Sequence, residues 1–140
     1  MKGEDDHGVF VVDGLSVGIE KNANNDFNGD GVSDVLWRNS NTGETHIWKI
    51  NGSTMTRETS AVLGNVADSS GWKVAGTGDF NGDGVSDILW RNSNTGETHI
   101  WKINGSTMTR ERSAFLDNVA DRSGWKVAGT LTALSSIYCC

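Results

Sequence analysis

The stretch Asp26–Thr77 recurs as Asp79–Thr130, at an offset of 79 − 26 = 53 residues. The two copies differ at five positions: Val35/Ile88, Thr59/Arg112, Val62/Phe115, Gly64/Asp117 and Ser69/Arg122. A near-perfect repeat constrains the fold more than any propensity sum. Each copy must be one supersecondary unit, stable only when it stacks on a neighbour. The unit reads as β-structure: proline is absent, there are 18 glycines, and strand-like runs alternate with turn residues. In the unit built around the second acidic loop the runs are WKVAGT (72–77), DILWRN (87–92), ETHIWKIN (97–104) and a weaker TRERSAFL (109–116). Between them lie an acidic loop, SNTG (93–96) and NGST (104–107), segments whose Asn and Gly tolerate positive φ. In HIWKI, alternate residues go to opposite faces and both faces are partly apolar, so the sheet expects cover on both sides.

Four short antiparallel strands in about 50 residues, repeated, with both faces needing cover, predict propeller-type blades. The expected fold class is therefore all-β, with tandem four-stranded antiparallel blades carrying calcium loops. Two blades are fewer than a closed propeller needs, so the array is incomplete. The expected division is an N-terminal segment 1–17, a first blade 18–77, a second blade 78–130 and a tail 131–140. The first blade starts poorly: GIEKNANN (18–25) stands where the repeat would place GWKVAGTG, with Ile19 at the Trp position. Conversely, GWKVAGTL (124–131) offers a first strand with no acidic loop after it.

The acidic loop reads DFNGDGVSD at 26–34 and again at 79–87. Calcium takes six to eight oxygens. Side-chain oxygens at alternate positions supply such a set: Asp26, Asn28, Asp30 and Asp34 in the first loop, with the carbonyl of Val32 between them. The second loop offers Asp79, Asn81, Asp83 and Asp87, with the carbonyl of Val85. Glycines at 29 and 31 let the chain turn between ligands. An EF-hand would need a Glu at the twelfth position and flanking helices; Trp37 and Trp90 stand there, between strands. Zinc lacks its His and Cys ligands, and magnesium prefers fewer protein ligands. The competing reading is an Asx-rich turn that binds nothing. Mutual repulsion of three carboxylates, twice over, argues for two calcium sites.

The stretch GTGDFNGDGVSDILWRNSNTGETHIWKING resembles an FG-GAP or VCBS-type repeat, the calcium-loop β-propeller family that includes the integrin α-subunit propeller. The resemblance runs from about residue 18 to 131. It implies a blade whose metal loop joins the first strand to the second. Such repeats also occur fused to hydrolases, but no catalytic set is carried onto residues of this chain.

Charge and composition narrow the function. A net charge of −6 and a pI near 4.9 argue against a nucleic-acid partner, which needs a basic face. No apolar run is long enough for a membrane span. MKGEDDHG is too acidic for a secretory signal, so none is visible. Calcium affinities of extracellular modules, on the order of 10⁻⁴ to 10⁻³ M, would leave the sites empty in a cytosol, which points to a secreted or cell-surface setting. Cys139 and Cys140 sit side by side at one end and make no disulfide framework. His46 and His99 follow Glu44 and Glu97 by two residues, but no nucleophile motif accompanies them, so they read as strand histidines. Met55 and Met108 read as gap fillers. Trp37–Arg38 and Trp90–Arg91 read either as packing between blades or as stacking platforms for a glycan. Asn51 and Asn104 match the N-glycosylation pattern, which the hairpin chemistry of Asn-Gly explains equally well. The expected role is structural or interactive rather than enzymatic. The chain is expected to associate into a homo-oligomer or polymer by strand or blade complementation, with a lectin-like propeller or a fragment of a larger adhesion protein as the alternatives.

Overall fold

A computed structural model describes residues 24–119 and 123–130, together with the backbone of 11–12 and 15–16. The latter make a two-residue ladder, β1 (Val11–Val12) with β2 (Leu15–Ser16). Seven further strands form two antiparallel sheets. The first sheet is β3 (Val35–Arg38), β4 (Glu44–Asn51) and β5 (Thr56–Asn65), in that order. The second is β6 (Trp72–Gly78), β7 (Asp87–Asn92), β8 (Glu97–Asn104) and β9 (Thr109–Asn118). One 3₁₀ turn, Asp68–Ser70, joins them. Neither sheet closes on itself among the described residues, and none of their helices is long and apolar enough to cross a membrane.

The ladder places Trp72–Gly78 in the second sheet, ahead of its acidic loop, so the sheet begins before the repeat boundary at 78. The corresponding segment of the first unit, 19–25, falls largely outside the described residues. Equivalent strands keep the same register: Trp37 pairs His46 as Trp90 pairs His99, and irregularities recur at Thr45/His46 and Thr98/His99. The segment 125–130, expected as a first strand, carries no ladder. Among the described residues no second strand stands beside it to share hydrogen bonds, although Thr130 Oγ1 donates to the Thr77 carbonyl at 2.6 Å.

The turns repeat as closely as the strands. Asn39 Oδ1 accepts from the N–H groups of Asn41 and Thr42, and Asn92 Oδ1 does the same for Asn94 and Thr95. In the Asn-Gly turns the positive φ falls on Met55 and Met108, not on Gly52 or Gly105. Those two glycines serve close packing instead: a Cβ on Gly105 would come within 2.7 Å of the Val85 side chain, and one on Gly52 within 2.8 Å of Val32.

The core lies between the sheets. The face of the first sheet that bears Leu36, Thr45, Ile47, Ala61 and Leu63 packs on the face of the second that bears Ile88, Trp90, Trp101 and Ile103. Trp90 is only 1% exposed and the Arg38 guanidinium carbon lies 4.9 Å from its ring centre. Its Nε1 has no hydrogen-bond partner, so packing and the cation–π contact must offset that loss. Phe27 is fully buried, which ties the first acidic loop to this core. Met108 joins it, but Met55 is 83% exposed, so the gap-filling role expected of both belongs to Met108 alone. The reason is positional: the first sheet has no described neighbour on the side where Met55 stands.

Candidate metal centre

Each acidic loop leads into the second strand of its unit and is held by its own carboxylates. Asp79 Oδ1 accepts from the N–H groups of Gly82 and Asp83, at 2.8 and 3.1 Å, and its Oδ2 accepts from Gly84 at 2.7 Å. Asp83 Oδ1 accepts from Val85 N–H at 3.0 Å, and Asp83 N–H points to Asn81 Oδ1 at 3.3 Å. Asp87 spans two elements, with Oδ2 accepting from Phe80 and Oδ1 from Ile103 on β8. These bonds need φ near +80° at Gly82 and Gly84, a region in which a Cβ is strained.

The first loop repeats the pattern. Asp26 accepts from Gly29, Asp30 and Gly31; Asp30 accepts from Val32; Asp34 accepts from Phe27 and from Ile50 on β4. Asn28 Nδ2 donates to Asp30 at 3.2 Å. The two loops also hold each other: Asp26 N–H donates to Ser86 Oγ at 3.0 Å and Ser86 N–H to the Asp26 carbonyl at 2.7 Å.

One oxygen from each of Asp79, Asp83 and Asp87 lies within 4.8 Å of the others, so this triad could hold a metal ion. Burial raises the carboxyl of Asp87 above its ordinary value, more than the N–H groups of Ile103 and Phe80 lower it; the charges of Asp83 and Asp79 raise it further. Asp34 shows the same balance against Ile50, Phe27, Asp30 and Asp26. A cation removes this penalty, since it favours the ionised form of every carboxylate around it. Lys102 Nζ stands 3.5 Å from Asp83 Oδ2 while bonded to Glu111, which supplies part of that charge at the rim. The donor set, hard oxygens on a glycine-hinged loop, fits calcium. It also makes the turn self-sufficient in hydrogen bonds, a detail that spacing alone does not reveal.

The other candidate residues separate by burial. His99 packs between Trp72 and Phe115, at ring distances of 5.0 and 5.2 Å, and His46 is half-buried beside Glu44. Trp90 is buried and offers no platform; Trp37, its repeat equivalent, is 48% exposed and tilted against Trp48.

A family comparison takes in both acidic loops and Trp90. A model described as the FG-GAP-like repeat matches residues 26–90, from the first acidic loop through the second to Trp90. That segment is similar to an FG-GAP-like repeat. No curated protein and no solved structure matches the chain. FG-GAP-like repeats are structural and adhesion modules, found typically in extracellular proteins.

Proposed function

We propose that the chain is a calcium-pinned FG-GAP-like repeat module, acting outside the cell as a structural and interaction element that associates with its own kind. The observation that carries the reading is the duplicated acidic loop. Asp79, Asp83 and Asp87 converge within 4.8 Å, and Asp26, Asp30 and Asp34 are held by the same bonds. Asp26, Asn28, Asp30, Val32 and Asp34 would hold one Ca²⁺, and Asp79, Asn81, Asp83, Val85 and Asp87 the other, with Val32 and Val85 contributing carbonyls. The ion's work here is folding. Because the unfolded chain has no preformed site, binding energy adds to the stability of the loop that joins neighbouring strands.

Thermal melting over a calcium titration tests this. A rise in Tm with calcium, reversed by chelator and shared by neither magnesium nor sodium at equal ionic strength, is expected; at 100 times Kd the gain is about 2.7 kcal/mol per site. A melting curve indifferent to calcium would overturn the assignment. A glycan partner is the weaker reading, because burial of Trp90 removes one of two equivalent platforms and with it the avidity of a paired site.

A further inference from the structure

The two units are nearly identical in sequence, yet their surfaces are buried in opposite senses. On the face that the second sheet turns toward the first, Trp90 is 1% and Met108 6% exposed; their equivalents on the first sheet, Trp37 and Met55, are 48% and 83% exposed. On the acidic loops the contrast reverses. Phe27 is 0% exposed and Asp26 is buried, whereas Phe80 is 38% exposed and Asp79 only half-buried. A Cβ on Gly29 would touch Val85 at 3.4 Å, while one on Gly82 would meet nothing within 4 Å. Each unit thus shows the surface that the other has covered.

The seat of Trp90 has its own second copy. In the internal junction the Arg38 guanidinium covers Trp90, held by the carbonyls of Gly43 and Val66 and by Thr45, with Leu63, Val66 and Trp72 around it. Adding 53 to these numbers gives Gly96, Val119, Thr98, Arg91, Leu116 and Trp125. Arg91 is bonded in the same way, to the Gly96 carbonyl, Thr98 Oγ1 and the Val119 carbonyl. Arg91, Leu116, Val119, Trp125 and Val127 line a pocket of about 320 Å³ with a mainly apolar wall. Leu116, Val119 and Trp125 are all exposed. Against its internal counterpart this pocket carries one change, Asp117 for Gly64.

We infer that a second copy of this chain docks head to tail here, its Trp37–Trp48 face entering the Arg91–Leu116–Trp125 pocket of the first. Trp37 and Trp48 already hold the tilted geometry of Trp90 and Trp101, 4.9 Å at 53° against 4.8 Å at 50°, so the incoming surface is preorganised. The same seating brings Ser33 of the incoming copy to Asp79, as Ser86 meets Asp26. It also brings Trp125–Thr130, identical to Trp72–Thr77, alongside β3 in the register by which β6 pairs β7. The contact is heterologous, so its repetition gives a ring or a fibre. The inference rests on the self-associating reading above and specifies its surfaces.

Sedimentation velocity on the full chain, in reducing buffer with calcium, tests it. The wild type should form species of several chains. Trp37→Ala and Leu116→Glu, each on an exposed residue and on opposite surfaces, should each give monomers with unchanged circular dichroism. Mixed in equal amounts they should give one dimer and nothing larger, because each variant keeps the surface that the other lacks. Should Leu116→Glu fail to fold, Trp125→Ala replaces it in the same design. A monomeric wild type, variants that associate as the wild type does, or a mixture that stays monomeric would each overturn the inference. A calcium-dependent Tm in a monomeric wild type would leave the calcium reading standing while removing this one.

Discussion

At the scale of single residues, the carboxylates of the acidic loop differ in how much of the backbone each one holds. Asp83 is exposed and accepts only from Val85 N–H and Lys102 among the described bonds, so Asp83→Ala should lower calcium-free stability by no more than about 1 kcal/mol. It should nonetheless remove most of the calcium-induced rise in Tm. Asp87→Ala is the opposite case: it strands the buried N–H of Ile103 and frees that of Phe80, so about 2 kcal/mol or more of stability should be lost even in chelator. Urea unfolding with and without calcium distinguishes the two patterns. The pH dependence has a definite sign. Asp34 and Asp87 have folded pKa values raised by burial, so in the calcium-free protein their ionisation opposes folding; their contribution is fullest below the ordinary Asp pKa and is lost as pH rises through the raised folded values. Calcium requires the ionised forms, so its Tm gain should shrink as pH falls through that same raised range, at a higher pH than an ordinary Asp would set. Equal calcium-induced shifts at every pH would contradict the ligand assignment.

At the scale of elements, most strand boundaries were legible because each run is bracketed by turn chemistry. DILWRN and ETHIWKIN match β7 and β8 to the residue, whereas the weaker TRERSAFL run extends two residues further, through Asp117 and Asn118. The Asn-Gly turns were less legible. Asn51 and Asn104 cap them through their side-chain oxygens, and their glycines answer to a valine from the acidic loop, a contact that spacing does not announce. Gly43 shows how a turn and a strand constrain each other. Its φ is +80° and an added Cβ would come 2.6 Å from the Val66 carbonyl, backbone that cannot swing aside. Gly43→Ala should therefore cost more than the roughly 1–2 kcal/mol of left-handed strain alone, and more than Gly84→Ala, where φ is +85° but the space is open. Ile47→Ala, at a fully buried position between the sheets, should cost about 2–5 kcal/mol. Chemical denaturation of the three variants in one buffer gives the ranking.

At the scale of the whole molecule, the acidic loops and the sheet faces form one continuous contact surface. The internal junction joins Asp26 to Ser86, so a loop stiffened by the proposed calcium would also stiffen the neighbour on which it rests. Association through the exposed Asp79 loop should accordingly strengthen with calcium and weaken in chelator, measurable as a shift in the sedimentation-derived dissociation constant. The sequence by itself determined the unit: its length of 53 residues, its β character and its oxygen-rich loop, because periodicity, turn residues and oxygen spacing are local properties written within each copy. Only the tertiary structure decided what two near-identical copies do differently. Trp37 and Trp90 sit in the same sequence, HIWKI follows both, and no local rule separates them. Burial is a property of neighbours. Trp90 has a sheet packed on its face and Trp37 is half open to solvent, and that asymmetry leaves one exposed surface of each kind among the described residues.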